Sequence, residues 1–192
     1  MRLRPAAAVV ALLLVGGCGN ERGEAPDIDA VGGGRQYARF TSAGGTVSFR
    51  HPVSWVADDA EAPQVAQVGT GGALAAIYAY PRTDLGTDPA SVRAQRQRLI
   101  QSLRRRSPGF LVTGSEITEV DGSPAVEIRG RGRVGGRPVQ TRAVHVFEPQ
   151  VEYVIDAYAR PDAFAKADRL GFEPLLASLQ LSDSPVPGQT SG

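Results

Sequence analysis

The chain has 192 residues, 42% of them hydrophobic, with 21 basic and 20 acidic side chains and a formal net charge of +1. Charge so near balance excludes a general binder of nucleic acid or other polyanions. A single cysteine excludes a disulfide framework, so stability must come from a packed core.

Residues 1–17 carry Arg2 and Arg4, then an apolar run over 6–15, then the small residues Gly16 and Gly17 directly before Cys18. The apolar run is about half of the ~20 residues that a membrane-spanning helix needs, so it is read as a cleaved secretory signal. Val15-Gly16-Gly17-Cys18 resembles the bacterial lipoprotein signal, in which the cysteine thiol is acylated and the preceding bond is cut. That resemblance implies a protein attached through lipid on Cys18 to the extracytoplasmic face of a cell membrane. Two acyl chains suffice for stable attachment, since each buried methylene is worth ~0.8 kcal/mol. Residues 18–36 are rich in glycine and acidic residues with no apolar period, and are expected to form a flexible tether with a reach of roughly 20–25 Å. Residues 182–192 are expected to be a loose tail, and one domain fills 37–181.

Within that domain, Phe40 and a strand over 46–50 come first, and Pro52 ends the strand for want of an amide donor. Trp55, the only tryptophan, is expected to cap one end of the core, the alternative being a platform for a stacked ligand. Runs at 64–68 and 74–80, separated by glycines, predict a hairpin. A helix is predicted from Asp88 as N-cap and Pro89 in the first turn to Arg104, Arg105 and Arg106, which complement the negative end of its dipole. Val92, Leu99, Ile100 and Leu103 form its apolar stripe, while Arg93, Arg96, Gln97 and Arg104 face out.

Residues 112–159 predict an antiparallel meander turning at Asp121-Gly122, Gly135-Gly136 and Pro149-Gln150. Period-two alternation puts Val126, Ile128, Gly130, Gly132 and Val134 on one face and Glu127, Arg129, Arg131 and Arg133 on the other, read as the wet one. The run 151–159 is apolar on both faces, which marks a central strand with layers on both sides. Asp162 is expected to cap a helical stretch that Gly171 breaks before 172–179 resumes. The fold class is therefore α+β, an antiparallel sheet sandwiched between helices.

The opening Val-Ser-Phe-Arg-His-Pro-Val-Ser-Trp, the Ile-Tyr-Ala-Tyr strand, the Glu-Val-Asp-Gly-Ser-Pro-Ala-Val-Glu-Ile hairpin and the closing Phe-Glu-Pro-Leu-Leu-Ala-Ser-Leu resemble the PsbP-like superfamily over residues 40–181. That superfamily includes bacterial lipoproteins of the LpqN and DcrB kind. The resemblance implies a module that binds partners or helps to assemble complexes, with no shared catalytic residues to carry over.

The residues themselves point away from catalysis. His51 precedes a proline at a strand end and His145 alternates with valines inside a strand, so neither sits in a nucleophile or metal-ligand pattern. No cofactor, metal site or phosphate loop is expected. The leading expectation is a lipid-anchored binding or assembly module that meets the membrane through its lipid. Its partner would be an envelope protein or anionic lipid, and no nucleic acid. The alternative is a carrier of a lipid or other apolar small molecule, which requires an open apolar cavity between sheet and helix. The candidate docking surface is the row Arg129, Arg131 and Arg133, extended by Arg142 if the Gly135-Gly136 turn sets the register. The competing expectation is a solvated face, or one covered by a helix with carboxylates such as Glu116, Glu119 or Asp168.

Overall fold

The computed structural model describes residues 36–83 and 86–182. The expected signal, Cys18 and nearly all of the tether lie outside the described residues, as does the tail beyond Ser182.

Two antiparallel sheets form. The smaller has the order β1-β2-β10, from β1 (Tyr37–Thr41), β2 (Val47–Pro52) and β10 (Gln180–Leu181). The larger has seven strands in the order β3-β4-β5-β9-β8-β7-β6. These are β3 (Val56–Asp59), β4 (Gln64–Thr70), β5 (Ala73–Pro81), β6 (Leu111–Val120), β7 (Ser123–Val134), β8 (Arg137–Phe147) and β9 (Val151–Ala159). The run read as central occupies the fourth of the seven places.

Two-residue turns join β6 to β7 and β7 to β8. Asp121 and Gly122 have φ of 53° and 81°, and Gly135 and Gly136 have 57° and 78°. Positive φ at both central positions is the geometry whose twist matches the flanking strands, and it fixes Val120 opposite Ser123 and Val134 opposite Arg137.

Each face of the large sheet is covered differently. Ala75, Ile77, Tyr153, Ile155, Val144 and Val146 lie on one face, in the main core. Over them sit the small sheet, through Val47 and Phe49, and a C-terminal helical segment, through Phe164, Phe172 and Leu175. The α+β class stands, with this layer made of sheet and helix together. On the other face, Val126, Ile128 and Phe147 lie under Val92, Leu99, Ile100 and Leu103 of helix α1 (Pro89–Arg106). Helix α1 starts as expected, with Asp88 accepting from the amides of Ala90 and Ser91. Hydrogen bonds from Ser91 and Ala90 hold the Asp88 carboxyl below the usual range. Arg96, expected to face out, instead reaches the hydroxyl and carbonyl of Ser115 on β6, each at 2.8 Å.

The C-terminal segment departs from expectation. Helix α2 (Phe164–Ala167) runs through a π-helical turn (Asp168–Phe172) into α3 (Glu173–Ser178) without a break at Gly171. Asp162 does not cap it: the residue before α2 is Ala163, with no side-chain cap. The glycine answers to packing. A Cβ on Gly171 would lie 2.2 Å from Cη2 of Trp55, which is only 3% exposed and meets Phe172 edge-on at 5.5 Å. Trp55 therefore fills the core, and the stacking platform considered above is not available to a ligand.

Candidate ligand groove

Helix α1 covers only part of its face. Its stripe lies over β6 and β7, so the β4-β5-β9-β8 part of the same face is left as the floor of a groove of about 260 Å³. Leu103 near the end of α1 and Phe110 just after it form one side. Phe110 reaches that position because β7 carries glycine beneath it: a Cβ on Gly130 would lie 2.2 Å from its ring, and one on Gly132 2.8 Å. Leu74, Ala76, Ala143 and Ile128 make the floor apolar, and Gln64, Gln67 and Thr141 add neutral polar groups. Tyr78, Tyr158 and Asp156 also line it. Val154 and Tyr158 make the second apolar face of the run 151–159, and that face is on this side of the sheet. The missed signal was Asp156 between them, an exposed acid on a central strand.

The arginine row falls on the opposite face and divides in two. Register places Arg129 opposite Arg142, as the turn required. Glu127 and Asp168 then close over both. Arg142 holds Glu127 at 2.8 Å and Asp168 at 2.8 Å, and Arg129 also pairs with Glu127 and, at 3.5 Å, with Asp168. Arg142 has 12% of its side chain exposed and Glu127 5%, so the face read as wet is closed here by the turn that carries Asp168. Burial works against the Arg142 charge, but its carboxylate partners outweigh burial and push its pKa up. Arg131 and Arg133 are exposed, and neither has a carboxylate within 4 Å among the described residues. Arg133 donates to the Gly136 carbonyl at 2.6 Å. Glu116 and Glu119 take no part in closing the row.

No family model matches the sequence, and no curated protein matches it. Solved structures do. The cyanobacterial PsbP protein of Synechocystis aligns with a TM-score of 0.55 at 16% identity, covering 80% of this chain and 96% of its own. LpqN of Mycobacterium tuberculosis, described as involved in cell envelope biogenesis, aligns with a TM-score of 0.54 at 13% identity, covering 77% of this chain and 91% of its own. The chain has the PsbP-like fold.

In this PsbP-like domain the two histidines lie in different layers. His51 is buried in the small sheet, its Nδ1 3.0 Å from the Pro52 carbonyl oxygen. His145, on β8, sits with Nδ1 2.7 Å from Oε1 of Glu152, whose other oxygen accepts from Arg82. No group of three or more His, Cys, Asp or Glu able to hold a metal occurs among the described residues. Burial alone would push the Glu152 carboxyl up. Its hydrogen bonds with His145 and Arg82 outweigh burial and hold it below the ordinary value of 4.5.

A carboxyl lowered by folding stabilises the protein above its unfolded value, and that contribution is lost as pH falls through its folded value. Urea midpoints of the PsbP-like domain are therefore expected to drop from about pH 4.5 downward, and Glu152→Gln is expected to flatten part of that slope. An unchanged slope in the variant would show that Glu152 is not linked to folding.

Proposed function

We propose that this chain is a non-catalytic binding module held outside the cytoplasm by lipid on Cys18, and that it takes an apolar small molecule in the groove between α1 and the large sheet. The observation that carries this reading is the open apolar groove of about 260 Å³, close to the roughly 300 Å³ at which small-molecule sites begin. An antiparallel sheet that leaves part of a face to solvent ordinarily lines that part with polar side chains. Here small and apolar side chains are left facing a cleft.

The envelope address is supported by the lipoprotein-like Val15-Gly16-Gly17-Cys18 and by a fold-mate described as involved in cell envelope biogenesis. A second reading, an assembly factor that docks an acidic envelope partner or anionic head group, is favoured by the exposed pair Arg131 and Arg133 on the other face. Arg129 and Arg142 contribute little net charge to it because their carboxylate partners neutralise them.

The test is to isolate the full chain from membranes and extract it for mass spectrometry. A small molecule is expected with the parent and with the Arg131→Gln/Arg133→Gln pair, and is expected to be lost in Ala143→Phe, which fills the groove floor. Cys18→Ala is expected to release the folded protein from the membrane fraction. A ligand that survives Ala143→Phe would place binding elsewhere, and carbonate-resistant membrane association of the Cys18 variant would refute the lipid anchor.

A further inference from the structure

The two ends of the large sheet differ in charge. One row of cross-strand partners crosses it from Val56 on β3, through Leu74 and Tyr158, to Gly130 and Val112. Beyond that row lie Leu111, Arg131 and, at the β7-β8 turn, Arg133 and Arg137. Helix α1 finishes over the same place, since Phe110 rests on Gly130 and Gly132, and its last turn is Arg104, Arg105 and Arg106. All of these arginines are exposed, and none has a carboxylate within 4 Å among the described residues. Of the acids after β9, Asp162 lies 3.6 Å from Arg160 and Asp168 is held by Arg129 and Arg142, which leaves Glu173. The opposite end is acidic, with Asp59 and Glu61 where β3 turns into β4, Glu119 and Asp121 at the β6-β7 turn, and Glu148 at the β8-β9 turn.

Apolar side chains share the basic end. Val53, Val56 and Leu111 are the most exposed large hydrophobic residues among the described residues, at 56%, 64% and 60%. The chain also enters the domain here, where the Val53 amide donates to the Gln36 carbonyl at 3.1 Å and Tyr37 pairs with Pro52. Cys18 stands eighteen residues before Gln36. A flexible stretch of that length spans roughly 20–25 Å, whereas the twelve residues of β7 put the acidic end about 35–40 Å further away. A lipid on Cys18 therefore brings the basic end to the bilayer and keeps the acidic end off it.

We infer that the domain docks on an anionic lipid bilayer through this end, with the arginines at the head groups and Val53, Val56 and Leu111 in the interface. Each basic side chain near an anionic surface strengthens binding by roughly fivefold. The tether makes the contact intramolecular, so modest affinity suffices. Docking also sets Phe110 and Val134, which line the groove, beside the bilayer. The inference rests on the lipid at Cys18, and it commits the second reading above to lipid head groups.

The test uses the full chain, purified from membranes and floated with vesicles of phosphatidylcholine, either alone or with a third of phosphatidylglycerol. An environment-sensitive dye is attached through Ser107→Cys at the basic end or Gln150→Cys at the acidic one, both exposed positions. On the anionic vesicles the dye at position 107 is expected to shift to shorter wavelength while the dye at position 150 stays as in solution. Raising salt from about 0.1 M to about 1 M is expected to reverse the shift. Arg105→Gln/Arg131→Gln/Arg137→Gln is expected to lower the ratio of docked to free domain at least about tenfold, with an unchanged melting temperature because all three side chains are exposed. Equal shifts at the two positions, or on both kinds of vesicle, overturn the inference. No shift at either position overturns it and leaves the arginines to an acidic protein. A chain that floats with the anionic vesicles alone refutes the lipid at Cys18 and keeps the docking, and one that floats with neither overturns both.

Discussion

Replacing Arg142 with methionine is expected to lower the stability of the folded domain by about 3–5 kcal/mol, the cost of breaking a buried ion pair from one side. The guanidinium makes the closer bridge between β7 and the C-terminal helical segment, 2.8 Å from Glu127 on one and 2.8 Å from Asp168 on the other. Without it two poorly hydrated carboxylates share Arg129, which is 40% exposed and reaches Asp168 only at 3.5 Å. Arg131→Gln, two residues further along the same face but exposed, is expected to stay within about 0.5 kcal/mol of the parent. Urea denaturation of both variants checks the contrast. A loss below about 1 kcal/mol for Arg142→Met would mean that the pair behaves as a solvated surface bridge.

The second large effect is expected at Trp55, where truncation to alanine removes a buried indole and should cost about 3–5 kcal/mol. Its partner Gly171 makes the test specific. Gly171→Ala alone drives a methyl into the indole and is expected to cost about 1–3 kcal/mol by overpacking. In the Trp55→Ala background that clash is gone, and the same substitution is expected to become neutral or stabilising by up to about 1 kcal/mol, because alanine loses less backbone freedom on folding. A double-mutant cycle reads the coupling directly. Additive losses would show that the glycine serves the backbone of the π-helical turn and not the indole.

These two sites show where the sequence was readable. Local rules found α1 through Asp88 and Pro89, the hairpin turns through their glycines, and β9 as the central strand through apolar residues on both faces. They also placed Arg142 beside Arg129. Alternation could say that Glu127 and the arginines share a face, but not that the turn carrying Asp168 would settle on it, since that contact spans residues far apart in the chain. Gly171 misled for a related reason, because a glycine read locally is a break while its cause lies at Trp55. The small sheet was only partly legible: β10 has two residues and exists by pairing with β2. The strand β3 has four residues, two of them aspartates, and no apolar alternation to announce it. The groove depends on how far α1 reaches across the sheet, which the helix sequence alone does not state.

The order of strands also says how the molecule must come together. Strands β3, β4 and β5 form one meander and β6 to β9 another, each joined to the next by a short connection. The two meanders meet in the large sheet only where β5 pairs with β9, with Ala73 opposite Ala159 and Pro81 opposite Val151. Closing that seam brings together segments on either side of α1 and three strands, so within the large sheet it is the pairing with the greatest loop-closure cost. Until residues 151–159 are available to pair, the edge of β5 away from β4 has no partner. Its apolar face, with Ala75, Ile77 and Ala79, is then open to other chains. That hazard precedes the native state, and substitutions along the seam should act on yield before they act on function.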